Sequence, residues 1–175
     1  NSPPVISTTT LPDATEDHAY SSTVSATDPD GDAVIFSLLT GPVWLSITSG
    51  GVLSGTPTNS HVGTNIAVSV RATDSGGLAD TLSTTIDVLN TNDAPVISTT
   101  TLPDATEDQA YSSTVSATDP DGDTVTFSLL TGPAWLSITS GGILSGTPSN
   151  SDVGTNIAVS VRATDSGGLA DTLST

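Results

Sequence analysis

Ile66-Ala67-Val68-Ser69-Val70-Arg71-Ala72-Thr73-Asp74 returns unchanged, 91 positions later, as Ile157-Ala158-Val159-Ser160-Val161-Arg162-Ala163-Thr164-Asp165. Within each copy Ile, Val, Val and Ala alternate with Ala, Ser and Arg. Period-two alternation places one set of side chains on a buried face and the other in water, which is a half-buried β-strand. The same pattern runs through Leu82, Thr84, Ile86 and Val88. Val34, Phe36 and Leu38 alternate with Ala33, Ile35 and Ser37, and Tyr20, Val24 and Ala26 share a parity. Shorter strands are predicted at residues 5–7, 44–47 and 52–54. Between them lie turn signals: Asp28-Pro29-Asp30-Gly31, Gly41-Pro42, Ser49-Gly50-Gly51, Gly55-Thr56-Pro57 and Ser75-Gly76-Gly77. No stretch carries helical periodicity. Seven short strands at this spacing predict a β-sandwich with Greek-key connections.

The repeat sets the domain organisation. Residues 1–84 align with 92–175 without a gap, and nine of the 84 pairs differ, among them His18/Gln109, Ala33/Thr124, Ile35/Thr126, Val43/Ala134 and His61/Asp152. A period of 91 residues is too long for a solenoid coil and suits a whole domain. The expectation is an all-β chain of two tandem seven-stranded Greek-key sandwiches, 1–91 and 92–175. The second copy is truncated in its last strand, because it has no equivalent of residues 85–89. A sandwich so shortened exposes a template edge. Either the sequence is a piece of a longer array, or a neighbouring chain supplies the strand. The first reading is favoured.

Charge narrows the function classes. Lys+Arg is 2 and Asp+Glu is 19, for a net charge of −17. With no basic patch to neutralise phosphates, nucleic acid is excluded as a partner, and anionic membrane surfaces are disfavoured. Self-repulsion of this size weakens a compact state unless salt or bound cations relieve it. There is no cysteine, hence no disulfide and no thiolate metal site. No apolar run approaches the roughly 18 residues of a membrane span. No basic-then-apolar leader stands at Asn1, so an export signal is expected outside this sequence.

The acidic residues are clustered. Ala26-Thr27-Asp28-Pro29-Asp30-Gly31-Asp32 returns as Ala117-Thr118-Asp119-Pro120-Asp121-Gly122-Asp123. Three carboxylates in five residues, bent by Pro and Gly, can aim several oxygens at one point. Calcium takes six to eight oxygens at about 2.3–2.6 Å and tolerates irregular geometry. A plain turn, with Asp side chains capping backbone N–H groups, uses the same residues. By itself the motif supports both readings equally. It is not an EF-hand loop, since the glycine and the twelfth-position acid are misplaced. Asp74 and Asp165 follow the alternating strand and leave it at its end. Glu16-Asp17 and Glu107-Asp108 precede the strands that begin near Tyr20 and Tyr111. Leu89-Asn90-Thr91-Asn92-Asp93-Ala94-Pro95 ends one copy and starts the next, offering amide and carboxylate oxygens where a bare linker is usually Gly/Ser-rich.

Together these motifs resemble tandem bacterial cadherin-like repeats of the dystroglycan-type cadherin and Putative Ig domain class. The residues that carry the resemblance include 26–32, 72–77, 90–95, Gly41-Pro42-Val43-Trp44-Leu45 and Gly51-Val52-Leu53-Ser54-Gly55-Thr56-Pro57, and it covers both copies nearly end to end. It implies calcium (Ca2+) between consecutive domains. Glu16 would contribute from the first repeat, Asn90, Asn92 and Asp93 from the linker, and Asp119, Asp121 and Asp165 from the second repeat. Asp28, Asp30 and Asp74 would form the matching, incomplete half-site near Asn1. Asn90 replaces the family's linker Asp. The family's Asp-Arg-Glu motif is absent, with residues 58–63 in roughly its place. One or two ions are therefore expected rather than three.

Trp44 and Trp135 are candidate platforms for stacking sugars, although each module has only one Trp, one Phe and one Tyr and needs them as core. Arg71 and Arg162 fall on the outward parity and are expected to pair with surface acids. His18 and His61 occur only in the first copy, which argues against catalysis or zinc at either. No nucleophile elbow is present, and no enzyme is read. The functional expectation is a structural or adhesive repeat of a long extracellular bacterial surface protein or fibre, its junctions rigidified by calcium. Its partners would be neighbouring repeats of the same chain, and like chains or surface glycans. The alternatives are a carbohydrate-binding or homophilic adhesion module and a fibre subunit polymerising by strand exchange.

Overall fold

A computed structural model describes residues 1–175. The chain divides into two compact units, Asn1–Thr91 and Asn92–Thr175, each taken by itself below. No helix is long and apolar enough to cross a membrane.

The first unit has nine strand segments: β1 (Val5–Ile6), β2 (Ala14–Thr15), β3 (Tyr20–Thr23), β4 (Ala26–Thr27), β5 (Ile35–Thr40), β6 (Ser46–Ile47), β7 (Val52–Gly55), β8 (Gly63–Thr73) and β9 (Ala79–Leu89). They form one sheet ordered β2-β9-β8-β5, a second ordered β3-β7-β6, and a β1-β4 ladder. All seven predicted strands are present, the second broken into β3 and β4, and β2 is an addition that continues the first. The first strand pairs antiparallel with β4 through Val5 and Ile6. It then crosses to pair parallel with β9, Ala14 opposite Val88 and Thr15 opposite Leu89. The second strand breaks after Thr23, where the Val24 N–H turns to the Gly51 carbonyl at 2.9 Å. The alternation of the sequence did not reveal β2, because a two-residue strand is too short to show a period.

The β8–β9 hairpin is the spine of the unit. Val68, Val70 and Ala72 on β8, and Leu82, Ile86 and Val88 on β9, are buried on one face, as their parity predicts. Leu11, Tyr20, Val24, Leu45 and Leu53 complete that core from the other elements. Near its start β8 carries a bulge between Gly63 and Ile66. Asn65 sits there at φ 55, its N–H bonded to Asp87 Oδ1 at 2.7 Å. Gly51 turns the β6–β7 connection at φ +87, and a Cβ there would strike the Val24 carbonyl, so only glycine fits.

The second unit has eight segments: β10 (Val96–Ile97), β11 (Tyr111–Thr114), β12 (Ala117–Thr118), β13 (Thr126–Thr131), β14 (Ser137–Ile138), β15 (Ile143–Gly146), β16 (Ser160–Thr164) and β17 (Ala170–Ser174). Its sheets are β13-β16-β17 and β11-β15-β14, with a β10-β12 ladder. The differences from the first unit have one cause. Residues 85–89 close the first sandwich, and no segment within 92–175 takes that place. Without it the strand corresponding to β2 does not form, and β16 is five residues long where β8 has eleven. The buried core shrinks to Val115, Leu136, Leu144, Val161 and Leu173. Contrary to the sequence expectation, Arg71 and Arg162 stand exposed without an acidic partner. They lie opposite Ser37 and Thr81, and Ser128 and Thr172, where no carboxylate is in register.

Candidate metal centre

The acidic loop of each unit begins where a short strand stops. After β4 the chain turns at Asp28-Pro29-Asp30-Gly31, closed by the Gly31 N–H on the Asp28 carbonyl at 3.1 Å, with Gly31 at φ 83. Asp28 Oδ1 accepts the N–H groups of Asp30 at 2.9 Å and Asp32 at 3.2 Å. Its Oδ2 is buried and has no partner. The second unit repeats this: Asp119 Oδ1 accepts from Asp121 at 2.9 Å and Asp123 at 3.1 Å, and Asp119 Oδ2 is a buried acceptor with no donor. One carboxylate oxygen thus performs the turn role, and the other is left over.

Asp74 enters from the end of β8. Its Oδ1 accepts the Leu78 N–H at 2.8 Å and its Oδ2 the Asn1 side-chain amide at 2.9 Å. Carboxylate oxygens of Asp28, Asp32 and Asp74 lie within 4.8 Å of one another. The sequence reading had Asp30 in this set. Instead Asp30 is exposed and accepts the Ser2 N–H at 2.5 Å, while Asp32, at the far side of the turn, joins Asp28 and Asp74. The signal for Asp32 was its presence as the third acid of the motif, but only the turn geometry decides which acids face inward. In the second unit Asp165 Oδ1 accepts from Leu169 at 2.8 Å and its Oδ2 from the Asn92 side chain at 2.9 Å. Asp121 Oδ2 accepts the Asp93 N–H at 2.6 Å.

Burial works against the Asp74 carboxylate, but donors from Leu78, Asn1, Gly76 and Gly77 outweigh it and hold its pKa below the ordinary aspartate value. At Asp165 burial is likewise outweighed, by Asn92, Leu169, Gly168 and Gly167. A carboxylate with a lowered folded-state pKa contributes stability that is complete above the unfolded pKa, near about 4, and disappears as pH falls through the lowered value. In chelator, urea midpoints should therefore drop on acidification through this window. Asp74→Asn and Asp165→Asn should each flatten that drop. Parallel curves for variants and parent would show that these bonds do not couple to folding.

Glu16 follows β2, so the parallel pairing with β9 positions it. Its N–H bonds the Leu89 carbonyl at 3.0 Å, and its Oε1 accepts the Thr91 N–H at 2.6 Å. The residue is completely buried, and Oε2 has no partner. Asn90, between Leu89 and Thr91 in sequence, is exposed. An unpaired carboxylate oxygen is costly to bury and is stabilised by a cation. Glu16 Oε2, Asp28 Oδ2 and Asp119 Oδ2 are hard, anionic acceptors lacking donors, the donor type that calcium takes.

A family model described as Putative Ig domain matches residues 3–89 and again 94–175. The chain belongs to this family, in two tandem copies. No curated protein matches it. Among solved structures, the human desmocollin-1 ectodomain matches at a TM-score of 0.62 and 18% identity, over 98% of this chain and 39% of its own. The protocadherin gammaB7 EC3-6 cis-dimer structure matches at 0.58 and 17%, over 99% and 51%. An endo-fucoidan hydrolase of glycoside hydrolase family 107 is 29% identical over 98% of this chain and 28% of its own, at a TM-score of 0.49. This chain thus spans between about a quarter and half of the solved chains named here. The cadherin ectodomains share its fold, and the two Putative Ig repeats are cadherin-like sandwiches.

In each Putative Ig repeat the tryptophan sits beside the core. Trp44 meets Tyr20 edge-on at 5.7 Å, and Trp135 meets Tyr111 at 5.7 Å. Both indoles are half-buried, with Nε1 buried and unpartnered. His61 also has a structural role. Its Nδ1 accepts the Thr58 N–H at 3.0 Å in a short 3-10 turn, and in the second repeat Asp152 Oδ2 accepts the Ser149 N–H at 2.8 Å. Neutral imidazole and carboxylate are interchangeable acceptors there, which explains the His61/Asp152 difference between the copies.

Proposed function

We propose that this chain is a non-catalytic structural or adhesive segment of an extracellular bacterial surface protein, in which calcium stiffens the junction between consecutive repeats. The observation that carries the reading is Glu16. One of its oxygens clasps the N–H of Thr91, the last residue of the first unit, while the other is buried with no partner. The next residues in the chain are Asn92 and Asp93, themselves tied to Asp165 and Asp121. Glu16, Asn90, Asn92, Asp93, Asp119, Asp121 and Asp165 are the proposed ligands. In the first repeat Asp28, Asp32 and Asp74 gather, and Asp30 stands where Asp121 does in the second. An ion held by residues of two repeats would neutralise local repulsion and limit how freely the linker bends. Extracellular placement is supported by the cadherin-like fold and the acidic composition.

Calorimetric titration with calcium tests this. One or two ions should bind per chain, and Asp121→Ala should weaken the affinity at least about tenfold, the loss of roughly one well-placed charged ligand. Asp104→Asn, at an exposed carboxylate, should leave it unchanged. Absence of any calcium-specific heat would refute the proposal.

A further inference from the structure

Arg71 and Arg162 are the only Lys or Arg residues beside 19 acidic ones, yet both stand exposed and unneutralised. Strand parity explains this. Val70 and Ala72 of β8 are buried, so Arg71 between them projects from the solvent face of the sheet that holds β9, β8 and β5. Ser37 on β5 and Thr81 on β9 stand opposite it. On the next rung of that face Ser69 lies between Thr40 and Ser83. Asp80 is adjacent to Thr81 but has the other parity, and its carboxylate accepts the Ile6 and Thr81 N–H groups, both at 2.8 Å. The second repeat builds the same face. Arg162 lies between Ser128 and Thr172, and Ser160 between Thr131 and Ser174. Asp171 is again turned away, bonded to the Ile97 and Thr172 N–H groups at 2.9 and 2.8 Å.

Each repeat thus presents one guanidinium framed by hydroxyls. Neighbouring strands are about 4.8 Å apart and same-face residues about 6.6 Å apart along a strand, so the frame is close around the charge. A guanidinium offers a planar fork of N–H donors that matches a carboxylate bidentately, and it stays charged. Hydroxyls both donate and accept, so they suit a partner that is itself hydroxylated. Neither rung carries an aromatic or large aliphatic side chain, the anchors on which protein partners depend. The net charge of −17 repels dense polyanions, which disfavours sulfated and phosphorylated polymers, whereas a uronate carries a single charge per sugar. We propose that the outer sheet face of each repeat, centred on Arg71 and on Arg162, binds a uronic-acid polysaccharide. The guanidinium takes the sugar carboxylate, and the flanking Ser and Thr hydroxyls take its ring hydroxyls. An exposed ion pair contributes little by itself, so each face binds weakly and in a salt-sensitive way.

Titration of the 175-residue chain with polygalacturonate, in chelator and at low salt, tests this. The chelator removes calcium bridges between carboxylates and keeps the outcome independent of the calcium proposal. Amide shifts in NMR spectra should cluster at Ser37, Arg71 and Thr81 and at Ser128, Arg162 and Thr172. They should fade in about 1 M sodium chloride, where charges are screened beyond about 3 Å. Arg71→Gln should erase the first set and leave the second. Arg71→Gln with Arg162→Gln should weaken binding at least about tenfold, the loss of hydrogen bonds between charged groups. The melting temperature should not change, because neither guanidinium has a partner within the chain. Lysine at both positions keeps the charge but not the fork and should restore only part of the binding. Thr81→Ala should weaken the first face by about two- to tenfold. The same polymer with its carboxyl groups reduced to alcohols should not bind. No binding of polygalacturonate, equal binding by the double glutamine variant or of the reduced polymer, or shifts confined to the acidic loops would overturn the proposal. Tighter binding of dextran sulfate or polyglutamate to this face would overturn it as well, by assigning the face to a sulfated polymer or an acidic protein.

Discussion

Calcium at a hundredfold excess over its dissociation constant should raise the melting temperature of this chain by on the order of 10 °C. A ligand that binds only the folded state at that excess stabilises it by about 2.7 kcal/mol, and each kcal/mol moves a domain of this size by about 4–8 °C. Sodium chloride at matched ionic strength should do much less, because it only screens the net charge of −17. Glu16→Gln should separate the ion from the charge. In chelator the variant should be at least as stable as the parent. Its amide oxygen still accepts the Thr91 N–H, and a neutral group replaces a buried anionic oxygen that has no partner. In calcium it should be less stable, having lost a ligand. This reversal of sign in differential scanning calorimetry is not available to a purely structural Glu16, whose loss would cost the same under both conditions. A variant destabilised equally in both would refute the role.

The fold was legible because the second copy confirms the first. Alternation over residues 66–72 or 82–88 spans enough periods to set parity, and the burial of Val68, Val70, Ala72, Leu82, Ile86 and Val88 follows it. Parity fails where a strand has two residues, as at β2, or where a turn rather than a strand directs the side chain. The acidic loop is such a turn. Sequence identifies Asp28-Pro29-Asp30-Gly31-Asp32 as a cluster. It does not say that Asp28 spends one oxygen on the turn, that Asp30 faces outward to Ser2, or that Asp32 joins Asp74. Nor does it show that Glu16 is the fully buried acid while Glu107, in the same motif, is exposed. That difference depends on pairing between β2 and β9, a contact some 75 residues long in sequence, which only one copy possesses.

The same asymmetry should make one substitution mild in the first repeat and severe in the second. Leu53 on β7 and Leu144 on β15 are equivalent, and both are 0% exposed. Leu→Ala at such a site removes buried surface and leaves a cavity, at a cost of about 2.7–5 kcal/mol. Small domains have only about 5–15 kcal/mol to lose. The first core has eleven buried residues, including Ile86 and Val88 on the closing strand, whereas the second has five beside an open groove. Leu53→Ala should therefore lower the midpoint of the first repeat yet leave its amides protected at neutral pH. Leu144→Ala should remove protection across β11 to β17 while β5, β8 and β9 stay protected. Val43→Ala, which the second copy already carries as Ala134 at a position 93% exposed in the first, should move neither repeat by more than about 0.5 kcal/mol. Hydrogen exchange read residue by residue distinguishes these outcomes. Equal losses at Leu53→Ala and Leu144→Ala would mean that the closing strand adds little to the sandwich.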